Sequence, residues 1–348
     1  MLMDMKSTTL TNGVRIVTSS IPHVQSVTMG VWVGVGGRYE PRKVSGISHF
    51  IEHLLFKGTT RLSAMDITRS IEGRGGYINA FTQEESTCYY ARMAADHAPA
   101  VLNVLADMYL NPKLDVDDIE KERHVILEEL MMYHDQPQHH VHDMLGEVMW
   151  KNHPLGRPLI GSPTSLGNID QNAIIQFKDN HYVPSQTIFT FAGKLDHDRC
   201  VDQVHKLCGH LPRHRRARCR PVTDKVSQDP ITLVVRNIEQ AHLALGVRTF
   251  GYNDPRRFAL RLISVILGEN MSSRLFQVVR EKHGLAYSIH SSCHLFSDTG
   301  AFLIGAGLDR PRLHHAFRLC VRELKKFCDR GISRAELQRA KDYLTGQL

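Results

Sequence analysis

Nowhere in the 348-residue chain does an apolar run approach the roughly eighteen residues that a membrane-spanning helix needs, so no spanning segment is expected. The opening Met1-Leu2-Met3-Asp4-Met5-Lys6 has no apolar core of the signal-peptide kind, and no Arg-rich, acid-poor presequence is present among the residues given. None of the seven cysteines stands in C-x-x-C spacing, and their odd number argues against a disulfide framework. A reducing, cytoplasmic setting with no membrane partner is the expectation. Aromatic residues are missing from the one strongly basic run, Arg213-His214-Arg215-Arg216-Ala217-Arg218-Cys219-Arg220, which leaves nothing to stack on bases. No nucleic-acid partner is expected, and the run reads as part of a solvated, flexible interdomain linker over residues 213–228.

What is present suits a globular chain. Hydrophobic residues make up 42% and charged residues 23%, and the length is too great for one ordinary core. The formal net charge of +7 is unevenly spread. Acidic residues outnumber basic ones as far as Pro212, and the basic excess lies wholly beyond it.

The most informative stretch is Ser48-His49-Phe50-Ile51-Glu52-His53-Leu54-Leu55-Phe56. On a helix, His49, Glu52 and His53 share one face, so both imidazoles can reach one ion while Glu52 stands beside it without being a ligand. Ile47, Phe50, Ile51, Leu54 and Leu55 form the apolar stripe that anchors the helix. The order H-x-x-E-H is that of the inverzincins. With 21 histidines in the chain, a surface helix carrying two solvated imidazoles fits the same spacing. The apolar flanks favour a buried helix, and buried histidines beside a glutamate call for a partner such as a metal.

Asn12-Gly13 marks a turn before a short strand at Val14–Val17, and Val27 to Val35 reads as a buried strand. Ser63 and Asp66 have capping-box spacing for a helix reaching Gly73. Tyr77 to Thr82 and Ser86 to Met93 predict a hairpin, whose first strand could hold an extended peptide if it lies at an exposed edge. Helices are predicted over Ala98–Leu110 and Asp117–Tyr133. In the latter, Glu122 and Glu129 point the same way, about two turns apart. Glu129 is a candidate third ligand and Glu122 an acid steadying a ligand, although a solvated acidic face has the same spacing. His134, His139, His140 and His142, near Pro137, read as an exposed loop. A helix from Met144, one helix from Pro163 to Tyr182, a strand at Thr187–Ala192 and a helix from Asp196 to Leu211 follow.

The second half opens with a predicted strand, Ile231 to Arg236, and then echoes the first. Gln240-Ala241-His242-Leu243-Ala244-Leu245-Gly246-Val247 parallels Gln25-Ser26-Val27-Thr28-Met29-Gly30-Val31, and the helix Phe258–Leu267 follows without H-x-x-E-H. A duplication with one metal site fits, giving a domain over 1–212, the linker 213–228 and a second domain over 229–348. Ser333-Arg334-Ala335-Glu336 opens a helix matching the one that carries Glu129, and the second copy is expected to be incomplete at its C-terminal side.

His49-Phe50-Ile51-Glu52-His53-Leu54-Leu55-Phe56-Lys57-Gly58-Thr59 closely resembles the signature of the insulinase-like (pitrilysin, M16) zinc peptidases, nearest to the short bacterial members and the mitochondrial processing peptidase β subunit. The resemblance implies Glu129 as third zinc ligand, Glu122 as the additional acid, and Asn79-Ala80-Phe81-Thr82 as the strand that holds substrate. Met271-Ser272-Ser273-Arg274-Leu275-Phe276 and Val279-Arg280-Glu281 to Tyr287-Ser288 are family-like too, with Arg280 and Tyr287 as a substrate-contacting pair. Gly268-Glu269-Asn270 departs from the usual glycine-rich wording. The implied fold is α+β, with two similar domains, each a largely antiparallel sheet carrying helices on one face, around a closed chamber. The implied activity is zinc-dependent endopeptidase, with Glu52 as general base, one Zn2+ per chain, a peptide substrate and a homodimer or paralogous heterodimer. A non-catalytic subunit or scaffold of a processing peptidase is the alternative.

Overall fold

A computed structural model of the chain describes residues 4–223 and 231–347. In order, the first part contains β1 (Asp4–Thr9), β2 (Arg15–Ser20), β3 (Ser26–Val33), α1 (Ile47–Leu55), α2 (Ala64–Ile71), β4 (Tyr77–Thr82), β5 (Thr87–Ala94), α3 (Ala98–Leu110), α4 (Val116–His134) and α5 (Pro137–Met149). Then come α6 (Pro163–Gly167), α7 (Gln171–His181), β6 (Thr187–Gly193), α8 (His197–Cys208), β7 (Gln240–Thr249), α9 (Arg257–Ser264), β8 (Ala286–Leu295), β9 (Gly300–Asp309), α10 (Leu313–Arg330) and α11 (Arg334–Gly346). The architecture is α+β, as expected, with two sheets and their helices.

The contacts divide the chain into two units. One runs to Met131 and resumes over Arg157–Arg220; the other comprises Met132–Gly156 and the chain from Pro221. The sequence reading puts a linker over 213–228 between domains over 1–212 and 229–348; in the structure α5 goes with the second unit, where it packs on β7.

The first unit is built on a six-stranded sheet in the order β1-β2-β6-β3-β5-β4, antiparallel except for the β2–β6 pair. Strand alternation sends Val27, Met29, Val31 and Val33 of β3 to one face. In register with them stand Phe189 and Phe191 of β6 and Tyr89, Ala91 and Met93 of β5. All of these join one buried cluster with Phe50, Ile51, Leu54, Leu105 and Ile126 from α1, α3 and α4. The opposite face carries Trp32 and Phe81, whose rings meet edge-on at 5.4 Å. β4 closes one side of the sheet, so the predicted hairpin is present and its first strand lies at an edge.

Several local expectations change. The helix expected from Pro163 to Tyr182 is two, because Asp170 caps a fresh start by accepting from the Ala173 N–H at 2.7 Å. The histidines expected in a loop lie on helix instead, since Pro137 occupies a first-turn position that needs no donor. The predicted linker is not free where it is described. Ser185 Oγ donates to the His214 carbonyl at 2.9 Å, the Ala217 N–H to Gln186 Oε1 at 2.7 Å, and Arg38 Nη2 to the Arg220 carbonyl at 2.8 Å. Its residues 224–228 lie outside the described ones.

The second unit has a three-stranded antiparallel sheet, β7-β9-β8. Its core gathers Leu267, Leu275, Val279, Ile304, Leu308, Ala316 and Leu319. The predicted strand at Ile231–Arg236 is not formed, and Ile231, Leu233 and Val235 are largely exposed. Strand propensity without a neighbouring strand to pair with does not make a strand. The capping box predicted at Ser333 and Glu336 is present.

Candidate metal centre

The site begins with the start of α1. Its first N–H groups have no partners within the helix, and Glu40 reaches forward to supply them. Glu40 Oε2 accepts from the Gly46 N–H at 2.7 Å and Oε1 from the Ser48 N–H at 2.9 Å. Gly46 precedes the helix at φ +94°, and any Cβ there would stand 2.6 Å from the Ile160 carbonyl oxygen. Only glycine suits both constraints. Held in this way, α1 buries Ile47, Phe50, Ile51, Leu54 and Leu55, which turns His49, Glu52 and His53 to the other side.

There the two imidazole rings stand 4.6 Å apart between centroids. Helix α4 is fixed by the buried row Ile119, Glu122, Ile126 and Leu130, and brings Glu129 across to them. Glu129 Oε2 lies 3.7 Å from His49 Nε2 and 3.6 Å from His53 Nε2. Those separations are too long for hydrogen bonds. They are close to the edges, about 3.4 Å, of a tetrahedron of ligands around an ion bonded at about 2.05 Å. The ligand atoms of His49, His53 and Glu129 all lie within 4.8 Å of one another, the one such group among the described residues. Two imidazoles and one carboxylate are the donor set of many catalytic zinc sites, so the residues present fit the metal that the sequence implies.

The surrounding groups prepare these donors. Burial and the charge of His53 push His49 down to about 4, which keeps its imidazole neutral. Burial would lower His53 too, but the Glu122 hydrogen bond and the charges of Glu129, Glu122 and Glu52 raise it overall. Glu122 Oε2 sits 3.0 Å from His53 Nδ1, while its Oε1 sits 2.5 Å from Lys57 Nζ. Burial would raise Glu122, yet the hydrogen bonds from His53 and Lys57 and the charge beside it hold it below the usual carboxylate range. An ionised Glu122 accepts a hydrogen bond from His53 Nδ1–H, which leaves Nε2 as the ligating nitrogen of the neutral imidazole on the Glu129 side. Burial raises Glu129, opposed by His53.

Glu52 is raised chiefly by burial, against the Thr82 hydrogen bond and the His53 charge. Thr82 Oγ1, at the end of β4, donates to Glu52 Oε2 at 2.6 Å. In the same strand the Ala80 N–H donates to Asn79 Oδ1 at 2.8 Å, and Asn79 Nδ2 donates to Tyr77 Oη at 2.6 Å. Phe81 turns to the opposite face, against Trp32 and Tyr90.

The structure therefore brings together His49, Glu52, His53, Glu122 and Glu129, with β4 alongside. Arg280 and Tyr287 lie in the second unit, where they meet each other: the guanidinium is 5.8 Å from the Tyr287 ring centroid and 4.7 Å from that of Phe276. Tyr287 is 77% exposed. His134 and His140 pair at 5.0 Å, and His142 with His290 at 5.9 Å, in the second unit. Sequence reasoning gave no individual role to Glu40, Lys57 or Thr82, although Lys57 and Thr82 stand in stretches that carry the family resemblance. Lys57, one turn beyond His53, could have been found from helical spacing; Glu40 bonds to the backbone of Gly46 and Ser48, six and eight residues on, and Thr82 to a side chain 30 residues away.

Comparison with known proteins places the chain by sequence and by fold. Residues 15–163 match the family described as Insulinase (Peptidase family M16), and residues 168–344 match Peptidase M16 inactive domain. An uncharacterized zinc protease of Mycobacterium tuberculosis is 41% identical over 346 residues, spanning 99% of this chain and 79% of that protein. The uncharacterized zinc protease YmxG of Bacillus subtilis is 37% identical over 347 residues, spanning 99% and 83%. Among solved structures, a protease from Helicobacter pylori superposes with a TM-score of 0.92 at 24% identity, over 99% of this chain and 85% of that one. A putative M16-like peptidase from Alicyclobacillus acidocaldarius gives 0.83 at 18% identity, over 100% and 84%. These two likenesses are of fold, whereas the sequence matches settle descent: the chain belongs to the insulinase (M16) family of peptidases.

Proposed function

We propose that the protein is a zinc-dependent endopeptidase that hydrolyses peptides or unfolded segments, with His49, His53 and Glu129 as the metal ligands. When bound there, zinc supplies Lewis acidity and brings water within reach of deprotonation near neutral pH. Glu52 has one carboxylate oxygen engaged by Thr82 and no hydrogen bond to the other among the described residues. That free oxygen takes a proton from the attacking water and returns it to the leaving amine. Glu122, supported by Lys57, keeps His53 in the tautomer and orientation that a ligand needs.

The substrate lies as an added strand along β4. An edge amide that its neighbour's side chain occupies, as Asn79 does for Ala80, is one that a peptide carbonyl can take over. Arg280 and Tyr287 are assigned to substrate carbonyl oxygens, in keeping with their exposure and the family resemblance. The acidic balance of the first 212 residues favours basic segments. The convergence of three ligand atoms beside Glu52 is the observation that carries this reading. Cleavage of an unstructured peptide by the parent, against none by Glu52→Gln, is its test.

A further inference from the structure

Glu52 is a long, half-buried side chain with three torsions on the face of α1 turned from the core, and the helix alone fixes only its Cα. The hydroxyl of Thr82 is the one hydrogen-bond donor that meets it among the described residues, at 2.6 Å. We propose that Thr82 is a positioning residue for the reaction: it anchors one oxygen of Glu52 so that the other faces the attacking water, and it ties that base to the strand on which substrate lies. This inference rests on the peptidase reading.

Three features give the anchor its precision. Ile78, Ala80 and Thr82 alternate onto the core side of β4, and the first two pack into the buried cluster that contains α1. Phe81, between Ala80 and Thr82, is braced from the other face by the Trp32 ring at 5.4 Å and the Tyr90 ring at 6.1 Å. Thr82 itself is paired with Thr87, whose Oγ1 donates to the Val35 carbonyl at 3.0 Å. The strand end is thus gripped from both faces and along its partner. Its hydroxyl therefore sits at a fixed offset from the Ala80 amide two residues back.

The consequence is a ruler. A peptide aligned by the Ala80 amide has its backbone in register with β4, and Thr82 puts the base in register with the same strand. Substrate position and proton acceptor are then set by one element rather than by two that move separately. Removal of the hydroxyl leaves the rail and the metal ligands intact but lets the carboxylate rotate. The loss falls on turnover rather than on binding.

The test compares Thr82→Val and Thr82→Ser with the parent and Glu52→Gln, on an unstructured peptide with zinc content measured for each. Valine keeps the shape and strand propensity without the hydroxyl; serine keeps the hydroxyl. Thr82→Val is expected to lose about 10- to 100-fold in kcat, the scale of a hydrogen bond to a charged group, with KM within about twofold and zinc and melting temperature unchanged. Thr82→Ser is expected to recover most of that loss. Parental kcat in Thr82→Val, a loss confined to KM, or a serine variant as impaired as the valine one overturns the inference while Glu52→Gln stays inactive. A Glu52→Gln protein as active as its parent overturns the peptidase reading, and the inference with it.

Discussion

His53 Nδ1 stands 3.0 Å from Glu122 Oε2, a contact that joins helix α1 to a residue 69 positions further along the chain. The same carboxylate pairs with Lys57 Nζ at 2.5 Å. It therefore holds the imidazole from behind and is itself held from the side. Glu122→Gln is expected to weaken zinc binding about 10- to 100-fold, the usual effect of removing the partner of a ligating histidine. Chelator competition measures it, and an unchanged affinity contradicts the role.

Glu52→Gln separates chemistry from metal binding. The variant is expected to keep stoichiometric zinc while cleavage falls by about 10²- to 10⁴-fold or more. Elemental analysis and peptide assays on one sample check both halves. Loss of zinc together with activity would make Glu52 a ligand rather than a base.

Substrate charge is tested by rate. If the acidic first part of the chain steers substrates, a basic peptide is expected to have the higher kcat/KM at about 10 mM salt. The advantage should shrink at about 150 mM, where the screening length falls from about 30 Å to about 8 Å. Equal rates for basic and acidic peptides at both salt concentrations refute steering.

The second unit carries a pH-dependent contact. Arg274 bonds to both oxygens of Glu336, at 2.7 and 3.1 Å, and the hydrogen bond and charge bring Glu336 down to about 2. A carboxyl depressed in the folded state contributes stability above its unfolded value, about 4.3. That contribution is lost as pH falls from there to about 2. The melting temperature of Glu336→Gln is therefore expected to lie below the parent's near pH 7 and to meet it near pH 2. A constant gap across that range contradicts the contact's role.

The parts of this protein that are legible in its sequence are those whose cause is local. His49, Glu52 and His53 share a face because of helical period, and Ser63 with Asp66 closes its capping box within one turn. Distance in sequence hides the rest. Thr82 reads only as the end of the substrate strand, and its link to Glu52 comes from α1 packing on β4. Glu40 stands outside the H-x-x-E-H stretch, and only the fold shows Gly46 and Ser48 donating to it. Ile231 to Arg236 misleads in the other direction, since its residues favour a strand and, among the described residues, no strand pairs with them. His139 and His142 mislead through Pro137, which starts a helix as readily as it ends one.

The central claim is that His49, His53 and Glu129 hold one zinc ion together. Zinc titration of metal-stripped, tag-free protein tests it most directly, with parent, His53→Ala and Glu129→Gln compared at equal concentration. The account predicts one tightly bound equivalent in the parent and a loss of at least about 100-fold in affinity in each variant. No stoichiometric zinc in the folded parent, or parental affinity in both variants, would contradict it.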